Sequence, residues 1–123
     1  MGLKFEANQP IYLQIMSNIR KQIASGIKKP GERIESVREL AIFYGVNPNT
    51  MQKALSELER EGYLFSERTT GRSVTTDTSL VEELKTLELN KVISTFVSEM
   101  KELGISKESL LEILKEFLIN MEG

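Results

Sequence analysis

Apolar residues recur at helical spacing from the start of the chain. Tyr12, Ile15, Met16, Ile19 and Ile23 fall three and four residues apart, which lays one apolar face along a helix from about Pro10 to Ala24. Pro10 suits the first helical position, where a missing N–H costs nothing, and Gly26 follows as a terminator. A loop, KKPGER, carries the turn signal Pro30-Gly31. Ser36 and Glu39 then form an S-x-x-E capping box, and Val37, Leu40, Ala41 and Tyr44 give a short second helix a buried face until Gly45 stops it. Val46 plugs the turn. The third helix opens on Asn47 as its cap with Pro48 at the first position, and runs through Met51, Ala54, Leu55 and Leu58 to Gly62.

The connection Tyr44-Gly45-Val46-Asn47 is too short to join antiparallel neighbours. It fits a helix-turn-helix, or an ordinary corner in a helical protein. The next segment narrows that choice. Tyr63, Leu64 and Phe65 read as a strand, Ser66 to Thr70 as a polar turn, and Arg72 to Thr75 as a second strand, with Gly71 where a tight hairpin wants positive φ. Arg68 and Arg72 would suit any solvated turn, but a hairpin directly after the third helix is placed as the wing of a winged helix-turn-helix.

Two further helices are predicted. Ser79 to Leu103 carries Leu89, Val92, Ile93, Phe96, Met100 and Leu103 on one stripe, and Gly104 closes it. Ser106 caps the last helix, which presents Leu110, Leu111, Ile113, Leu114, Phe117, Leu118 and Met121. A helical hairpin this small cannot bury so much apolar surface alone. It must pack on the front half, on a second copy or on another partner, and a symmetric homodimer is the commonest solution. Leu89, Val92, Phe96, Met100, Leu110, Leu114, Phe117 and Met121 are the candidate dimerisation residues. The expected architecture is mostly α with a small β-hairpin: an N-terminal winged helix-turn-helix over residues 1–76, followed by a two-helix C-terminal dimerisation hairpin over residues 77–123.

Charge sharpens that division. The whole chain has a net charge of −2, but residues 1–76 hold 11 Lys+Arg against 8 Asp+Glu, a net +3, while residues 77–123 hold 5 against 10, a net −5. The front half can approach an anion and the back half cannot, although charges this small also split by chance. With no Cys and no His among 123 residues, disulfides, thiolate nucleophiles, zinc fingers and Ser-His-Asp triads are excluded. No Gly-rich phosphate loop or metal-ligand cluster appears, so neither an enzyme nor a cofactor is expected. No run reaches the ~20 apolar residues of a membrane span, and MGLKFEANQP has no long apolar stretch of a signal peptide. A cytoplasmic setting without membrane contact is therefore expected.

On a helical wheel, Met51, Ala54, Leu55 and Leu58 of the third helix cluster on one side, which turns Asn49, Gln52, Lys53, Ser56 and Arg60 away from the core. The N-terminal part of a recognition helix meets base edges. Asn49 and Gln52 have the amide chemistry for adenine, and Lys53 suits a guanine or a phosphate. Asn47 and Thr50, on the opening turn, can bind phosphate or simply cap and fill the turn. Arg38 should face outward near the start of the second helix, either to clamp a nucleic acid or to pair with Glu35 or Glu39.

The stretch over roughly residues 9–75 resembles the N-terminal domain of the GntR family of bacterial transcription regulators. PIYLQI, G-x-x-x-PGE, S-V-R-E-L-A, GVNPNT and L-E-x-EGY carry the resemblance in order and spacing, and the VNPNT string with the short helical tail is similar to the YtrA-like subfamily. The resemblance implies a homodimeric repressor or regulator on a palindromic operator of double-stranded DNA. It implies contacts from Arg38, from Asn47, Asn49, Thr50 and Gln52, and from Gly71 at the wing tip. Pro48 stands where the family often has an arginine, so that contact is not carried over. Glu35 replaces a usual proline, and Thr69-Thr70-Gly71-Arg72 departs from the family's Gly-Lys-Gly-Thr type of wing. The chain has no room for the ligand-binding domain of larger members, and a small-molecule effector stays open. The competing reading is a protein-protein interaction module on a winged-helix scaffold, which would lack the salt-sensitive duplex binding of a DNA-binding protein.

Overall fold

The computed structural model describes residues 4–122. Its elements run α1 (Ile11–Ala24), α2 (Val37–Tyr44), α3 (Pro48–Arg60), β1 (Leu64–Glu67), β2 (Gly71–Val74), α4 (Thr78–Glu102) and α5 (Lys107–Glu122). The chain divides into two compact units, with the boundary between Thr86 and Leu87, inside α4. The charge of the sequence changes sign earlier, after Thr76. Between these points, Leu84 is buried and Val81 packs against the core of the first unit.

The core of the first unit follows the apolar pattern. Ile15, Met16, Ile19 and Ile23 of α1 are buried, as are Leu40, Ala41 and Tyr44 of α2 and Met51, Ala54, Leu55 and Leu58 of α3. Helix α3 lies at the centre and packs on α1, α2 and β1. Tyr12 and Val37 reach only the margin of this core. Pro10 falls one place outside the expected position: it is the cap of α1, with extended ψ of 137°, and Ile11 is the first helical residue. An ion pair fastens α1 to the far end of α3 within the first unit. There Arg20 on α1 donates from Nε and a terminal nitrogen to the Glu61 carboxylate at 3.2 and 3.3 Å, holding α1 to the end of α3.

The hairpin differs from its expected limits. β1 begins at Leu64 and runs on through Ser66 and Glu67, which the sequence suggests as turn, and β2 begins at Gly71 and ends at Val74. The strands are antiparallel, with Leu64 opposite Val74, Phe65 opposite Ser73, Ser66 opposite Arg72 and Glu67 opposite Gly71. The polar side chains of Ser66 and Glu67 obscure the strand because that part of it faces solvent. β2 also has a partner on its other edge. Arg33 forms an isolated antiparallel bridge with Ser73, supported by Gly31 N–H to Val74 O at 2.9 Å, Val74 N–H to Glu32 O at 2.8 Å and Ile34 N–H to Arg72 O at 3.0 Å. The loop before α2 therefore serves as a third strand in all but length.

In the second unit, Leu87, Leu89, Val92, Ile93, Leu103, Leu111, Ile113, Phe117, Leu118, Ile119 and Met121 are exposed. Phe96, Met100, Leu110 and Leu114 are half-buried, and no described residue of α5 is fully buried. No helix among the described residues is long and apolar enough to cross a membrane.

Candidate nucleic-acid interface

Three pieces of local chemistry set the first face of the site. Ser36 caps α2: its Oγ accepts from Glu39 N–H at 3.1 Å while Glu39 Oε1 accepts from Ser36 N–H at 3.0 Å. These bonds, the backbone one foremost, hold the Glu39 carboxyl below the usual carboxylate range. The helix ends at Gly45 in the left-handed conformation, φ 69° and ψ 38°, with Val46 N–H bonded to Ala41 O at 3.0 Å and Gly45 N–H to Ile42 O at 3.2 Å. This Schellman closure turns the chain sharply. Asn47 then caps α3 by accepting from Asn49 N–H at 2.7 Å.

The outer face of α3 is as the wheel arranges it: Asn49, Gln52, Lys53, Ser56 and Arg60 are exposed, and Thr50 is half-buried. Several of these side chains are already oriented. Gln52 Nε2 donates to Ser56 Oγ at 2.9 Å, one helical turn on. The Lys53 ammonium lies 4.2 Å from the ring centroid of Tyr12 on α1, a cation–π contact. Arg60 donates to Glu57 at 2.6 Å, which commits it to its own helix.

Arg38 is exposed, and its expected rivals are occupied elsewhere. Glu39 is used by the cap, and Glu35 faces Lys28 at 3.8 Å. The Arg38 and Arg68 side chains make no hydrogen bond or ion pair among the described residues. Arg72 is different. Its Nε donates to Glu59 Oε1 at 3.1 Å, and its side chain is only 17% exposed, so this wing arginine is turned onto α3. Gly71, at φ 86°, has open space where a Cβ would stand. The wing and the start of α2 face one another across a groove of about 450 Å³, lined among others by Arg33, Ser36, Val37, Thr70 and Gly71.

The structure thus places Asn49, Gln52 and Lys53 on one helix face, and Gly71 across a groove from the first turn of α2. Sequence reasoning passed over three contributors: Arg33 beside the groove, Tyr12 beneath Lys53, and Glu59 beneath the wing. For Glu59 a signal exists, since it lies seven residues after Gln52 and therefore on the same helical row.

Comparison with known proteins bears on this arrangement. The family model of bacterial regulatory proteins, gntR family, matches residues 11–74. An uncharacterized HTH-type transcriptional regulator, YhcF of Bacillus subtilis, is 41% identical over 95% of this chain and 97% of its own length. The HTH-type transcriptional repressor YtrA of the same organism is 35% identical over 95% of this chain and 91% of its own. Among solved structures, a GntR family transcriptional regulator from Listeria monocytogenes superposes with a TM-score of 0.82 at 38% identity, covering 91% of this chain and 98% of that one. The DNA-binding domain of AraR in complex with operator ORR3 superposes with a TM-score of 0.53 at 31% identity, covering 61% of this chain and 88% of that one.

Proposed function

The chain belongs to the GntR family of bacterial regulatory proteins, and we propose that it acts as a homodimeric repressor on a palindromic operator. Its class of activity is DNA-binding transcription regulation, not catalysis. The observation that carries the finer reading is the outer face of α3, where exposed Asn49, Gln52 and Lys53 stand over a fully buried inner face. Amides at the start of such a helix have the hydrogen-bonding pattern for base edges in a major groove, and the Lys53 cation beside them suits a phosphate. Arg38, Asn47 and Thr50 would meet phosphates around the two helix starts, and Arg68 and Gly71 would meet the duplex at the wing. Repression is supported by the name of the relative YtrA, and a duplex partner by the operator-bound AraR domain.

Residues 1–76 form the DNA-binding part in this reading and residues 77–123 the dimerisation part. The exposed Leu89, Val92, Phe117 and Met121 favour it, because apolar side chains of this size gain free energy only when a partner removes them from water. The half-buried Phe96, Met100, Leu110 and Leu114 would complete that surface. The regulator works on cytoplasmic DNA.

Fluorescence anisotropy against the duplex upstream of its own gene and a scrambled duplex, over a salt series, tests the proposal. Preference for the upstream duplex with a steep fall in affinity as salt rises is expected, because neutralised phosphates release counterions. Absence of duplex binding at low salt would sink it and favour the interaction-module reading.

A further inference from the structure

Glu59 stands on α3 where a DNA-binding helix has least use for a carboxylate. It shares a helical row with Gln52, two turns on, and phosphates repel a negative charge there. Its partners explain its presence. One oxygen, Oε1, accepts from Ser66 Oγ on β1 at 2.9 Å and from Arg72 Nε on β2 at 3.1 Å. Ser66 and Arg72 are directly opposed across the hairpin. A single carboxylate oxygen thus gathers both strands of the wing at one rung and ties that rung to α3. The hydrogen bond from Ser66, and then the Arg72 guanidinium, hold the Glu59 carboxyl below its usual range, so the tie is ionic at neutral pH.

We propose that Glu59 is a positioning residue for DNA binding: it fixes the angle between the wing and the base-reading row of α3, with Arg72 as its strut. Arg72 then acts chiefly through Glu59, and Arg68 with the backbone around Gly71 supplies the wing's contacts to the duplex. The hairpin needs such a tie because it is short. Each strand has four residues; Leu64 and Val74 anchor the base in the core, but Ser66 and Glu67 beyond them are exposed, and a two-stranded ribbon outside a core is marginal by itself. The bridge from Arg33 secures the far edge of β2. The Glu59 bonds secure the side that faces α3. This inference rests on the reading that α3 and the wing both engage the duplex.

Opposite signs make it testable. If Glu59 were only a charge near DNA, Glu59→Gln would tighten binding by removing repulsion and freeing Arg72. As a positioning residue, the same change loosens the wing and weakens binding by about tenfold, the size of a lost hydrogen bond to a charged group. Glu57→Gln is the control: it changes the same charge on the same helix, but among the described residues Glu57 pairs within α3, with Arg60, and not with the wing. It should bind as tightly as the parent or tighter.

The experiment is hydroxyl-radical footprinting with anisotropy, using the full chain on a duplex it has selected from a random pool. For Glu59→Gln, the wing's protection should fade while that of α3 persists, and the salt dependence should become shallower. Ser66→Ala cuts one arm of the tie without changing charge, and should give a partial loss of the same protection even if Glu59→Gln folds poorly. Wing protection and affinity equal to the parent in both variants overturns the positioning role. Absence of wing protection in the parent itself overturns the DNA-facing reading of the wing, and this inference with it.

Discussion

In the proposed reading, Gln52 is oriented for a base contact by its neighbour. A primary amide carries two N–H hydrogens and one carbonyl oxygen. Ser56 takes one N–H, which leaves the other N–H and the oxygen free in the pattern an adenine edge requires. Gln52→Ala should therefore weaken operator binding by ~1–3 kcal/mol and relax discrimination at one base pair, checked by titrating operator duplexes substituted at each position. Arg38→Ala should lose a similar ~1–3 kcal/mol, and unchanged affinity in both variants would remove this assignment. Lys53 is expected to behave differently. Held beside the Tyr12 ring, it presents a charge without a planar fork, so Lys53→Ala should weaken all duplexes alike and lower the slope of the salt dependence by about one. A loss confined to one operator sequence would place Lys53 on a base instead.

Helix ends, together with the packed interiors, hold α2 and α3 at their angle. Gly45 closes α2 at φ 69°, a conformation that costs an L side chain ~1–2 kcal/mol. Nothing lies within 4 Å of where its Cβ would stand, so Gly45→Ala should lose about that amount from conformation alone, and Gly45→Asn less, as denaturant midpoints would show. The opposite end of α2 carries a pH dependence. Glu39 is held below its ordinary range by Ser36, so its contribution is present above the unfolded value of about 4.3 and lost as pH falls through the lower folded value. Glu39→Gln keeps an acceptor for the cap but cannot titrate. Its melting temperature should fall less steeply than the parent's below about pH 4, and identical acid profiles would dismiss the capping carboxylate as a source of acid sensitivity. These ends were legible in the sequence because they are local: Ser36 and Glu39 sit three apart, and Gly45, Asn47 and Pro48 punctuate the turn in order. The pairing of Arg33 with Ser73 was not legible, since its partners are distant in sequence and KKPGER carries the residues of a turn. The same reason hid the ion pair of Arg72. Position in the hairpin suggested a cation offered to DNA, while its partner, Glu59, lies on another element.

Association decides whether two such reading heads can act as one. Apolar surface on the second unit is extensive: Phe117 is 62% exposed and Met121 67%. In a two-fold dimer each interface residue counts twice. Burying a phenylalanine is worth ~1.5–3 kcal/mol, so the two copies of Phe117 together account for ~3–6 kcal/mol. At about 1.4 kcal/mol per tenfold, Phe117→Glu should raise the dimer dissociation constant by ~100-fold or more. Sedimentation at micromolar concentration should find the parent dimeric and this variant monomeric. The first unit's core, whose last described residue is Leu84, should keep its melting transition. Operator binding should then reveal the geometry. Dimers place recognition helices on half-sites about 34 Å apart, one turn of the duplex, and the link between heads makes the second contact intramolecular. The monomeric variant should bind one half-site as well as the parent does and lose the advantage of the full palindrome. Inserting half a helical turn between half-sites should weaken the parent sharply and leave Phe117→Glu unaffected. A parent that stays monomeric at micromolar concentration yet binds the palindrome tightly would show that the second unit serves another purpose.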